Sequence, residues 1–130
     1  MRGIYIAESP VPTTVSAETI LTSAQIVAQS VNGLVLRGSG ESMQPLYAPG
    51  TVLVVAPVPY ESLKRGQTVL YRRASAEPVA HVLIAKTGRG WRAAGLNNRL
   101  HDPIGVTAQN LFGVVVAAFA ASSGNDVASQ

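Results

Sequence analysis

The sequence contains no cysteine. That absence removes disulfides, thiolate metal sites and a cysteine nucleophile together, and it leaves the redox compartment unread. Charge is scarce too: 13% of residues are charged, against 47% hydrophobic. A chain of this composition can bury enough apolar surface to offset its ordering entropy, which argues against global disorder. The formal charge of +3 is dispersed, with Lys64-Arg65 and Arg72-Arg73 as the only adjacent basic pairs. Nucleic-acid binding calls for a concentrated basic stripe, so no nucleic-acid partner is expected. No run reaches the ~18 apolar residues of a membrane helix; the longest, Val114 to Ala121, falls far short. Glu8, Pro10 and Pro12 interrupt any apolar region of a signal peptide. The expectation is a cytoplasmic protein without a direct membrane span. Metal-ligand spacings, phosphate-cradling glycines and internal repeats are all missing, so neither metal nor cofactor is expected.

What remains is a chain of 130 residues, the size of one domain. Residues 1–33 read as a short strand (Gly3 to Ala7) followed by one short amphipathic helix. Ser16 is the expected N-cap, with Glu18 in the first turn. Ile20, Ala24, Val27 and Val31 recur at helical spacing, and Asn32-Gly33 marks the end. From residue 34 to 121 the texture is β. Leu34 to Leu36, Thr51 to Ala56, Gln67 to Arg72, Val79 to Ala85 and Gly113 to Phe119 are strand-like runs. Between them lie turn signals such as Ala48-Pro49-Gly50, Gly88-Arg89-Gly90 and Gly95-Leu96-Asn97-Asn98. The pattern predicts a mainly β fold with coiled sheet or a small barrel, closed by a polar, frayed tail at 122–130.

The densest chemical signal is Gly38-Ser39-Gly40-Glu41-Ser42-Met43-Gln44-Pro45. Glycines here permit a tight turn that exposes a side chain and aims backbone N–H groups inward. The segment Gly40 to Pro45 resembles the Gly-x-Ser-Met-x-Pro box of the serine peptidase clan of signal peptidase I and the LexA-like self-cleaving repressors. The likeness continues, in order, through Pro49 to Val55, Leu63 to Tyr71, Ala80 to Ile84, Gly95 to Asn98 with Asp102, and Asn110 to Val115. It covers about residues 34–119. It implies several coiled antiparallel sheets with a small barrel, and a serine nucleophile activated by Lys or His. It also implies a peptide or protein substrate bound as an extended strand. The positions carried over are Ser42 as nucleophile, His81 as general base, and Asp102 as third member. Gly40, Glu41 and Ser42 would supply the oxyanion backbone, and Met43 and Pro45 would touch substrate.

The residues support those roles on their own terms. A serine hydroxyl needs a neighbouring base, and histidine ordinarily titrates near 6.5, suited to neutral pH. Lys86 competes, but residues 81 and 86 face opposite sides of a regular strand, and Lys86 adjoins a glycine turn. Asp102 and Asp126 are the only aspartates, and Asp126 falls in the tail. Asn97 and Asn98 read as turn residues that shape the site, and His101 as exposed. Three departures from the clan stand out: Gln67 replaces the Asp after Gly66, Leu96 replaces the Asp of the Gly-Asp-Asn box, and neither anchor nor DNA-binding domain is seen. Two alternatives to a peptidase therefore stay open, a weak or inactive binding module of the same fold and a self-processing regulator. A homodimer stays open as well.

Overall fold

The computed structural model describes residues 3–74 and 77–122. The expected tail lies outside them apart from Ser122, whose N–H donates to the Val15 carbonyl (2.8 Å). Among the described residues, seven strands, one α-helix and a single 3-10 turn (Tyr60–Ser62) make the fold: β1 (Thr13–Val15), α1 (Ile20–Ser30), β2 (Leu34–Arg37), β3 (Val52–Ala56), β4 (Thr68–Arg72), β5 (Pro78–Thr87), β6 (Gly90–Ala94) and β7 (Leu111–Ala121). The β-branched run of β3 is buried on both faces, as such runs are when a sheet is covered on each side. The strands form one sheet in the order β2-β3-β7-β4-β5-β6. Every pairing is antiparallel except that of β1, which lies parallel to the end of β7 (Thr13↔Phe119).

The expectation of several sheets with a small barrel is corrected here: one sheet coils without closing, and β2 and β6 remain its ends. Register shifts explain the coiling. They fall between Val54 and Val55 and between Leu70 and Tyr71 against β7, and between Leu83 and Ala85 against β6. Each leaves one extra residue in a strand (Val116, Phe112 and Ile84), and such bulges bend the strand and increase its twist. Val116 and Phe112 are consequently exposed on a central strand whose Gly113, Val114, Val115, Ala118 and Phe119 are buried.

The helix packs where its periodicity points. Ile20, Ala24 and Ala28 are buried against Val52, Val54 and Phe119, with Val27 and Val31 partly covered. Its start is corrected. The Ser16 hydroxyl pairs with the Thr19 hydroxyl (2.8 Å) rather than with a free helix N–H. The first helical bond runs from Ser23 N–H to the Thr19 carbonyl (2.8 Å), so Thr19 is the cap and Glu18 lies before the first turn. The end is as expected: Asn32 takes a positive φ of 51°, and Gly33 N–H returns to the Ala28 carbonyl (2.8 Å).

Gly3 to Ala7, expected as a strand, joins no ladder. Residues 3–10 form instead a strap across the sheet, with Ile4 and Ile6 packed on a core of Met43, Tyr47, Leu53, Val55, Leu70, Val82 and Val115. The strap is tied by buried polar bonds. Ser9 Oγ donates to the Gly66 carbonyl (2.7 Å) and meets Thr68 Oγ1 (2.7 Å). Tyr47 donates its phenolic hydrogen to the Pro10 carbonyl (2.6 Å). Gly66, at φ +93°, has the Tyr5 ring where a Cβ would stand, 2.5 Å away, so only glycine admits the strap there.

Candidate active site

Ser42 sits in the long connection between β2 and β3, which two backbone bonds close at its base. Gly38 N–H donates to the Thr51 carbonyl (2.9 Å), and Gly50 N–H to the Gly38 carbonyl (2.8 Å). Beyond that base the loop doubles back, with Gln44 N–H on the Glu41 carbonyl (3.2 Å) and Tyr47 N–H on the Met43 carbonyl (3.0 Å). Met43 is driven into the core, and this anchors the turn that leaves Ser42 half-exposed beside it.

A second connection, after β6, grips this turn from the side. Asn97 N–H donates to the Ser42 carbonyl (2.7 Å), and Asn97 Nδ2 to the Glu41 carbonyl (3.2 Å). Gly95 lies so close that a Cβ there would stand 2.7 Å from the Ser42 carbonyl oxygen and 2.9 Å from Ser42 Cβ. Asn97 thus shapes the site, as the turn reading expects. Leu96 is partly buried and packs against the core cluster that contains Met43.

His81 lies in the middle of β5, opposite Val69 of β4, and is 3% exposed. Its Nε2 is 2.9 Å from Ser42 Oγ, and its Nδ1 is 2.6 Å from Asp102 Oδ2. An ionised carboxylate only accepts hydrogen bonds, so Nδ1 carries the proton and donates it. Nε2 then keeps its lone pair toward the serine and accepts from Ser42 Oγ–H. Asp102 is held from behind, its N–H donating to the Ala93 carbonyl of β6 (2.7 Å). Reciprocal bonds between Trp91 and Val106 (2.8 Å each) clip the same connection further along. The aspartate is 5% exposed. A carboxylate so buried is tolerated only when its oxygens are engaged. Besides His81, the phenolic hydroxyl of Tyr71 donates to the same oxygen, Oδ2.

The structure therefore brings Ser42, His81 and Asp102 into one hydrogen-bonded line. Lys86 stays outside it, exposed and opposite Trp91 near the end of β5. The extra residue Ile84 breaks the strict alternation between positions 81 and 86, so the exposure of Lys86 follows from its place beside the turn rather than from parity. His101 is exposed, with Nδ1 on the Asp102 carbonyl (2.9 Å).

A groove of about 520 Å³ opens beside Ser42, between β2 and the start of β5. Gly40 and Met43 line it, with Leu36, Leu53, Leu70 and Ala80 as apolar walls. Pro45 faces elsewhere, toward a smaller hollow shared with Ile4, Ile6 and Leu96. Glu41 is exposed on the loop.

Tyr71 is the site residue that sequence reasoning passed over. It reads as one more apolar member of a strand, yet it sits diagonal to His81 on the β4–β5 ladder (Val69↔His81, Tyr71↔Val79). Diagonal residues on one face lie within reach of each other when the side chains are long. Burial, and then the hydrogen bond to Asp102, push its phenol well above the ordinary tyrosine range, so it remains a protonated donor.

Among the described residues, no cluster of three or more His, Asp or Glu could hold a metal ion, and no helix is long and apolar enough to cross a membrane. Comparison with protein-family models, curated proteins and solved structures finds no match for this chain.

Proposed function

We propose that the protein is a serine hydrolase that cleaves peptide bonds through an acyl-enzyme on Ser42. The observation that carries this reading is the continuous line from Ser42 Oγ through both ring nitrogens of His81 to Asp102 Oδ2, at 2.9 and 2.6 Å. Each element has a chemical role. Nε2 removes the proton as Ser42 Oγ attacks the carbonyl carbon, forming the C–O bond and moving the π electrons onto oxygen. The Asp102 carboxylate holds the tautomer and stabilises the imidazolium that results. Collapse of the adduct breaks the C–N bond, and Nε2–H passes its proton to the departing amine. Water, activated by the same nitrogen, then releases the acyl group as a carboxylate.

The developing oxyanion would be met by backbone N–H groups of the Gly40–Ser42 turn, donors that a glycine loop can aim inward. The groove fits an extended chain laid along the open side of β2, whose far edge has no strand partner among the described residues. Its apolar walls suit aliphatic side chains next to the scissile bond.

A fluorophosphonate label tests this directly. Stoichiometric capture mapped to Ser42, lost in Ser42→Ala and strongly slowed in His81→Ala, is the expected result. A wild-type protein that takes up no label and hydrolyses no peptide would overturn it, and the fold would then serve as a binding module.

A further inference from the structure

The Tyr71 hydroxyl has no place in the three-residue line, yet it touches the atom on which that line ends. Asp102 Oδ2 accepts from two donors, His81 Nδ1 and the Tyr71 phenol. The phenol comes from β4, the imidazole from β5, and the carboxylate from the connection after β6. Three separate parts of the chain thus converge on one oxygen. The Tyr71 side chain is wholly buried and packed in a core with Val69, Leu83, Trp91 and Val106. The hydroxyl is therefore held by the ring's packing rather than by a mobile stem. A further partner is the Ile104 carbonyl at 3.4 Å, too long for a strong bond, which leaves Asp102 as the main acceptor.

We propose that Tyr71 is a positioning residue for the hydrolytic line, fixing the Asp102 carboxylate by its phenolic hydrogen bond and drawing charge away from the oxygen that faces His81. The inference rests on the reading of Ser42, His81 and Asp102 as a working unit. Its physical content is twofold. A carboxylate with one strong partner can rotate about its Cβ–Cγ bond, whereas two converging donors give it one orientation. A donor on Oδ2 also lowers the negative charge that an imidazolium at His81 would meet. The ionisable groups around Asp102 are His81 from β5, Tyr71 from β4, Arg73 just beyond β4, whose charge acts on the Tyr71 phenol, and His101, the neighbour in its own connection.

Tyr71→Phe removes the hydroxyl and keeps the ring. Loss of a hydrogen bond to a charged group should lower kcat about ten-fold, measured above the rising limb of the pH–rate profile, with KM changed by less than about two-fold. The downfield NMR resonance of the His81 Nδ1–H, which reports its hydrogen bond to Asp102 Oδ2, should shift in the same variant. In an Asp102→Ala background the same change should do nothing further, because Tyr71 acts only through that carboxylate. Should the phenylalanine variant fold poorly, 3-fluorotyrosine placed at position 71 is nearly isosteric and a stronger donor, and it should move the same resonance in the opposite direction.

An unmoved His81 Nδ1–H resonance in both variants, or an equal loss from Tyr71→Phe when Asp102 is already alanine, would overturn the proposal. The NMR readout needs no turnover. An inactive wild type whose His81 Nδ1–H resonance still answers to residue 71 would refute the hydrolase and leave Tyr71 as the residue that orients Asp102.

Discussion

Gly95→Ala is the sharpest test of how Ser42 is held. The added Cβ would stand 2.7 Å from the Ser42 carbonyl oxygen, 2.8 Å from Asn98 Nδ2 and 2.9 Å from Ser42 Cβ. Ordinary contact begins near 3.4 Å, so the Ser42 backbone and the Gly95 turn must part by about 0.7 Å. Two of the three obstructing atoms belong to Ser42 itself, and one of these is backbone, so a side-chain rotation cannot relieve the overlap. The displacement also strains the Asn97 N–H bond to the same carbonyl, 2.7 Å long. Misplacing a reacting group by 1 Å costs on the order of 100-fold in rate. A fall of about 10–100-fold in kcat, and in the rate constant for fluorophosphonate labelling, is expected. Overpacking of this kind typically costs about 1–3 kcal/mol, so the variant should remain folded with a lowered Tm. Rate and melting temperature should therefore be measured on the same preparation. Labelling at the wild-type rate in a folded variant would refute the claim that Gly95 braces Ser42.

Three further outcomes follow from the packing and the titrating groups. His81→Ala and Ser42→Ala should abolish turnover to the same level, with no added loss in the double variant, whereas Lys86→Ala should stay within a few-fold of wild type; kcat measurements on purified variants decide it. The Tyr47 and Tyr71 phenols are both held above the ordinary tyrosine value, chiefly by burial. An unfolded chain ionises them near pH 10, so the stability they confer is full below about pH 10 and drains away above it. Melting curves should fall in Tm across about pH 10–12, and less steeply in Tyr47→Phe. Ile20→Ala on the buried face of α1 should cost about 2–4 kcal/mol and lower the Tm by about 10 °C, without changing the labelling rate per folded molecule.

Much of this arrangement can be read in the amino-acid sequence, and the parts that cannot share a cause. The runs Thr51 to Ala56 and Gln67 to Arg72 announce themselves because β-branched and aromatic residues favour extended backbone whatever lies beside them. Asp102 stands out by scarcity, as one of two aspartates. β6 goes unread because Trp91 to Ala94 lies between two glycine turns and is too short to show alternation. Ile4 and Ile6 alternate like a strand, but what they meet is the core around Met43, and packing alone satisfies them. A barrel is the natural reading of many short strands, yet bulges at Val116, Phe112 and Ile84 decide how far the sheet curls, and each adds a residue that no periodicity marks. Tyr71 shows the limit most plainly: its role depends on a carboxylate 31 positions away.

The place of β7 in the sheet bears on how the molecule comes to exist. Among the described strands it is the last to leave the ribosome, yet it lies between β3 and β4 and also carries β1. Until it arrives, β2 can pair only with β3, and β4, β5 and β6 form a separate meander. Ser42 belongs to the first fragment; His81 and Asp102 belong to the second. Their meeting is therefore delayed until the chain through Ala121 has been made, and the nascent polypeptide carries a serine with no base beside it. Contacts spanning more than a hundred residues, such as Thr13 with Phe119, make such folding slow and concerted. A nonsense mutation between β6 and β7 would release a chain whose two half-sheets lack the strand that joins them and keep open edges, a substrate for degradation or aggregation rather than a shortened version of the fold.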